Sequence, residues 1–207
     1  MSHSGPFRCE CGQIHADIFD GVSNDLLPYI DLDGVSALNA TEGRAARRIF
    51  KPYDQRLDRT HWLESEEDDP QLIIHIPFTA PVKIRALTVI GGGDGEAPCT
   101  LRAYVNREAL DFADAEQTQA VQQWELAANG DPGGVVEYPT QYSRFQSVTK
   151  LSLFVVDSHG ADITKIFYIG LKGVGTDHKR RAVQAVYELK PMPENTAMKE
   201  DVCYEAS

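Results

Sequence analysis

At 207 residues the chain exceeds one typical domain and falls short of two, so a single larger domain with tails is the economical organisation. Its 31 acidic side chains outnumber 20 basic ones, and the net charge of −11 opposes binding to a nucleic-acid backbone or an anionic membrane surface. The first residues lack the apolar core of a signal peptide and no later stretch approaches a membrane span, which predicts a soluble intracellular chain, monomeric when free.

Residues 1–25 show no strand periodicity and are expected to be a flexible tail containing cysteine and histidine, with 17–29 holding at most a helical turn or two. Residues 26–190 are expected to form one all-β domain. Within 71–78, Leu72, Ile74, Ile76 and Phe78 share one face while Ile73 and His75 share the other, which is strand periodicity. Thr79-Ala-Pro81 is expected to turn the chain into a second strand at 82–90, rich in β-branched residues. The pattern recurs at 101–105, 123–126, 135–138, 148–156, 163–171 and 182–189. Turn formers lie between, among them Gly91-Gly-Gly-Asp-Gly95, Asn129-Gly-Asp-Pro-Gly-Gly134 and Ser158-His-Gly160. Seven or eight short strands make a sandwich. Residues 111–121 are expected to hold a helical turn outside the core, and Pro191-Met-Pro193 separates the last strand from a flexible acidic tail over 191–207.

Three stretches carry a more specific pattern. The first is Tyr29-Ile-Asp-Leu-Asp-Gly-Val-Ser-Ala-Leu-Asn39, a short strand and turn ending in a Leu-Asn pair. The second is Phe50-Lys-Pro-Tyr53, followed by Leu63-Glu-Ser-Glu66 and Leu72-Ile-Ile-His-Ile-Pro-Phe78. The third runs Ser143-Arg-Phe-Gln-Ser-Val-Thr-Lys-Leu-Ser-Leu-Phe154 and continues through Gly160-Ala-Asp-Ile-Thr-Lys-Ile-Phe-Tyr-Ile-Gly-Leu-Lys-Gly173. Together they resemble the PITH domain, the C-terminal module of thioredoxin-like proteins that associate with the proteasome. The resemblance implies a galactose-binding-like jelly roll with a scaffolding role and no chemistry of its own. The partner it implies is the proteasome, through its regulatory particle, and the expected location is cytoplasmic and nuclear. The Trp-Cys-x-x-Cys redox centre of the thioredoxin half has no counterpart here, so the chain is similar to the stand-alone branch and redox catalysis is not carried over.

Catalytic signatures are missing: there is no His-Glu-x-x-His, Gly-x-Ser-x-Gly or phosphate-binding Gly-x-x-x-x-Gly-Lys-Ser/Thr. The run at Gly91 completes no Gly-x-Gly-x-x-Gly and reads as a loop. His75 within a strand and His159 within a turn have no nucleophile beside them in sequence, so both read as structural or solvated. Cys9, Cys11, Cys99 and Cys203 are too few and scattered for a disulfide framework and are expected to be reduced. No resident cofactor is expected. His3, Cys9, Cys11 and His15 lie close enough in sequence to meet around a zinc ion, the plainer alternative being a reduced tail.

Partner contact has three candidate places. The acidic run Glu64-Ser-Glu-Glu-Asp-Asp69, with Glu66 and Glu67 at its centre, must face solvent or a basic surface. Arg44, Arg47, Arg48 and Lys51 form a basic cluster, where arginine forks suit carboxylates and Tyr53 offers an amphipathic anchor. The acidic tail ends near Cys203, whose thiolate suits a zinc-containing groove on the proteasome lid. A rival reading is an intracellular jelly-roll glycan- or ligand-binding module in which Trp62 and Trp124 stack on sugar rings. A third is a regulatory protein of the nucleus or of a differentiation pathway, resting on Lys179, Arg180 and Arg181 as a localisation signal.

Overall fold

The computed structural model describes residues 24–176, and the strand expected at 182–189 and the bulk of both tails lie outside them. The described residues form eight strands: β1 (Ser36–Leu38), β2 (Leu63–Glu64), β3 (Leu72–Gly91), β4 (Pro98–Val105), β5 (Gln122–Glu125), β6 (Tyr138–Pro139), β7 (Val148–Ser158) and β8 (Lys165–Gly175). All pairings are antiparallel.

The strands expected at 71–78 and 82–90 are one strand, β3, and Thr79-Ala-Pro81 bends the chain without reversing it. Pro77 and Pro81 have no N–H to donate, so the ladder to β7 lapses between Pro77 and Val82 and the strand changes partners there. Its first half, Leu72 to Pro77, pairs with β1 and β7, and β7 continues to β4 and β5. Its second half pairs with β6 and β8, and β8 continues to β2. The bend therefore makes a corner between two layers, a device by which sandwiches close.

The inward side chains of both layers form the main core. It takes Ile74, Ile76, Ile84 and Leu87 from β3, Leu101 from β4, Leu151 and Leu153 from β7, and Ile169 and Leu171 from β8. Each is buried, and full burial of such a side chain contributes about 1.5–3 kcal/mol. The opposite face of the first layer has a second cluster. There Ile73, Tyr104 and Phe154 are covered by Leu110 and by helix α1 (Phe112–Gln117). The helical turn expected at 111–121 thus exists but packs on this cluster: the Tyr104 hydroxyl donates to the Ala115 carbonyl at 2.6 Å, and Phe112 meets Phe154 edge-on at 5.9 Å. Leu26, in the stretch expected to hold at most a helical turn or two, is also fully buried.

The strand expected at 135–138 is reduced to Tyr138–Pro139, and Val135 is 77% exposed. The buried Asp131 carboxylate accepts the Val136 N–H at 2.8 Å, while Gly134 takes a left-handed φ of +60°, so the backbone loops where two valines alone would suggest a strand.

Candidate binding cleft

The chain between β1 and β2 is the largest departure from regular sheet. Ala40 bridges Ser65, and the Thr41 N–H and hydroxyl both donate to the Glu64 carbonyl, at 3.2 and 3.0 Å, which clamps the start of this segment to its end. In between runs a 3-10 helix, Gly43–Ile49, packed against β1, β2 and β8. Its three-residue repeat puts Ala46 and Ile49 together in the core and leaves Arg44, Arg47 and Arg48 in solvent.

A cleft of about 460 Å³ opens between this helix and the returning chain at 60–64. Glu42, Ala45 and Arg48 line it from the helix side, and Thr60, His61, Trp62 and Glu64 from the other. Arg48 lies 3.6 Å from Glu42 and Arg47 lies 3.7 Å from Asp33, long and solvated ion pairs of little energetic worth. Trp62 is 44% exposed, its indole N–H donates to the Glu64 carboxylate at 2.8 Å, and its ring meets Phe167 of β8 edge-on at 6.5 Å. The Arg59 guanidinium lies over the same Phe167 ring at 5.3 Å.

Of the basic cluster read in the sequence, Arg44, Arg47 and Arg48 are exposed, whereas Lys51 is buried. Its ammonium donates to the Asp58 carbonyl and lies 3.8 Å from the Asp58 carboxylate, so it fastens the 50–58 loop instead of facing a partner. Hydrogen bonds from the Thr60 N–H and hydroxyl hold the Asp58 carboxyl below its ordinary range. Lys51→Ala is expected to lower stability by about 1–2 kcal/mol in urea unfolding, because the Asp58 carbonyl loses its donor and the loop its anchor.

Tyr53 is likewise no free anchor. Its half-buried ring lies under the Arg56 guanidinium at 4.0 Å and near the Lys172 ammonium at 5.1 Å, over the outer face of the second layer. Glu66 and Glu67 are exposed on the turn after β2. Antiparallel pairing at Ala40 and Ser65 sends the chain toward Glu67 and the chain toward Arg44 in opposite directions, so the acidic and basic segments do not merge into one patch. Cys203, and the zinc candidates His3, Cys9, Cys11 and His15, lie outside the described residues. Among the described residues no three His, Cys, Asp or Glu side chains are placed to hold a metal ion.

The two tryptophans separate. Trp124 is 8% exposed, donates to the Pro139 carbonyl at 2.9 Å and packs beside Phe145, so Trp62 alone of the pair meets solvent. His159 contacts the Leu126 carbonyl through Nε2 at 3.1 Å. His75 does acquire a hydroxyl neighbour that its sequence surroundings did not show: Nδ1 lies 2.9 Å from the Ser152 hydroxyl across the β3–β7 ladder. Ser152 is 1% exposed and His75 9%, so the pair is buried.

Burial lowers the His75 pKa below 6.5, helped by the nearby Lys150 charge and opposed by a hydrogen bond to the Leu110 backbone. The unfolded chain therefore takes up a proton there that the folded chain refuses, and stability falls as pH drops through the unfolded value. Urea midpoints are expected to decrease from pH 7.5 to 5.0, and His75→Gln to shrink that decrease; an unchanged difference would refute the assignment.

Residues 16–191 match the PITH domain family. The chain belongs to that family. Among PITH relatives, PITH domain-containing protein 1 of Dictyostelium discoideum is 37% identical over 184 residues, covering 89% of this chain and 90% of the relative. The human protein of the same name is 36% identical over 188 residues, covering 88% and 87%. The PITH fold is also similar to a fucolectin from striped bass serum, with a TM-score of 0.51 and 8% identity over 73% of this chain and 49% of that one. At that identity the likeness is one of fold, a galactose-binding-like jelly roll, in agreement with the sandwich expected from strand count.

Proposed function

We infer that this PITH chain is a non-catalytic interaction module that binds the regulatory particle of the proteasome and scaffolds or modulates degradation there, in the cytoplasm and nucleus. The observation that carries the reading is the exposed Arg44, Arg47, Arg48 and Trp62 surface on a chain of net charge −11. Arginine and tryptophan are the residue types that anchor protein interfaces, and a local basic surface on an acidic molecule selects an acidic partner. Family membership supports the choice of partner through the resemblance to the modules of proteasome-associated thioredoxin-like proteins. The burial of the His75–Ser152 pair is in keeping with a role without chemistry. A second contact is assigned to 191–207 through Cys203.

Retention of purified regulatory particle on the immobilised full chain at physiological salt is the expected result. Reversing Arg44, Arg47 and Arg48 to glutamate together should abolish it, and deletion of 194–207 should weaken it. Failure of the wild-type chain to retain the particle overturns the reading. Trp62 favours one alternative, a glycan-binding module, which predicts a change in tryptophan fluorescence on addition of galactose or fucose.

A further inference from the structure

The cleft between the 3-10 helix and residues 60–64 has a lopsided hydrogen-bond inventory. Several of its acceptors and hydroxyls are engaged: Glu64 accepts the Trp62 indole N–H, the Thr41 hydroxyl donates to the Glu64 carbonyl, and the Thr60 hydroxyl donates to Asp58, while the exposed Glu42 carboxylate stands 3.6 Å from Arg48. The cleft's arginine donors are not. Among the described residues the guanidinium groups of Arg48 and of neighbouring Arg44, Arg47 and Arg59 make no hydrogen bond, since the carboxylates beside Arg47 and Arg48 stand at 3.7 and 3.6 Å. Arg48 has only the long, solvated Glu42 pair to give up, and an arginine fork so placed in a concave, half-polar site is matched by a carboxylate, which accepts two parallel N–H bonds from it. Beside it, the exposed Trp62 offers a flat apolar face of the kind that anchors a single large side chain.

We propose that this cleft binds an acidic peptide segment of a partner protein, with an Asp or Glu carboxylate held by Arg48 and a neighbouring aliphatic or aromatic side chain resting on Trp62. This rests on the reading of the chain as an interaction module and assigns that module a defined ligand and position. The binding segment is short: about 460 Å³ accommodates two or three side chains, not a folded surface. Arg44 and Arg47, exposed on the helix that lines the cleft, and Arg59, exposed next to the lining residue Thr60, favour further acidic residues on either side of the anchor, mainly by speeding encounter.

The test begins with selection of random displayed dodecapeptides on the immobilised full chain. A consensus that combines Asp or Glu with one apolar residue is expected. Synthetic peptides of that consensus should alter the emission of Trp62, because Trp124 is enclosed in the core. Arg48→Glu and Trp62→Ala should each weaken binding about tenfold or more, the scale of an interface hot spot, while Arg107→Glu on the exposed β4–α1 loop leaves it unchanged. Arg48→Gln, which keeps the size of the side chain, guards against a misfolded charge-reversal variant. No enrichment, a consensus without carboxylates, or affinity unchanged in the Arg48 and Trp62 variants overturns the proposal. So does a response to galactose or fucose without one to acidic peptides, which makes the cleft a sugar site. Displacement by a synthetic peptide of residues 193–207 overturns the partner as source and makes the chain's own acidic segment the occupant. Regulatory-particle retention separates the two readings. If wild type and Arg48→Glu retain it equally, the cleft assignment falls and the reading as a proteasome-binding module stands; if wild type does not retain it while acidic peptides bind, the proteasome reading alone falls.

Discussion

Phe145→Ala is expected to lower the unfolding free energy by about 3–5 kcal/mol. Phe145 is 1% exposed within the main core and lies beside Trp124, with ring centres 6.3 Å apart. Its backbone is tied on both sides: its N–H donates to the Tyr142 carbonyl at 3.2 Å, and its own carbonyl accepts the Ile84 N–H at 3.0 Å. A segment pinned this way to β3 cannot move inward to fill the vacated volume, so the cavity remains and its cost adds to the lost transfer free energy. Trp124 then loses a neighbouring ring. Phe145→Leu should recover most of the loss, and urea unfolding at neutral pH measures both. A change below about 1 kcal/mol for the alanine variant would show that the site collapses freely.

Gly173→Ala is expected to cost about 3 kcal/mol for the opposite reason, overpacking. Gly173 sits opposite Ile84 in the β3–β8 ladder, and its N–H donates to the Asn24 carbonyl at 2.7 Å. A methyl group there would fall far inside van der Waals contact with the Lys83 carbonyl oxygen and come within 2.9 Å of both the Lys83 carbonyl carbon and a Leu26 methyl. The obstruction is chiefly backbone, so no rotamer change relieves it, and strands must separate instead. Gly93→Ala is the control: nothing lies within 4 Å of its added methyl, and it should be neutral or stabilising by up to about 1 kcal/mol through the unfolded chain. Equal effects at the two glycines would contradict this account.

What the sequence shows and conceals follows from the range of each interaction. The alternation of Leu72, Ile74, Ile76 and Phe78 is local, and those residues do share the inward face, while Ile73 on the other face enters the second cluster. The corner at Thr79-Ala-Pro81 depends on β7 and β8, which lie about 70 to 90 residues further on, so proline and polarity there read as a turn when they mark a change of partners. Val135 and Val136 look like a strand because the side chain that captures their backbone, Asp131, is itself in a turn sequence. In the cleft, the arginines at 44, 47 and 48 announce themselves by charge. Lys51 has the same charge and the opposite fate, since its partner Asp58 is reached only once the loop has closed. Trp62 was legible as an aromatic but not as a wall facing Arg48, a relation created by the Thr41–Glu64 clamp. The His75–Ser152 contact spans 77 positions and leaves no local trace.

A body whose two layers share one continuous strand has no seam. Freeing the first half of β3 strips β1 and β7 of a neighbour, and freeing the second half strips β6 and β8. Neither layer keeps a complete ladder without it, so amide protons on both sides become accessible to exchange through the same rare global opening. A force that pulls on either layer therefore meets the whole fold, with no loosely held layer to be drawn out first.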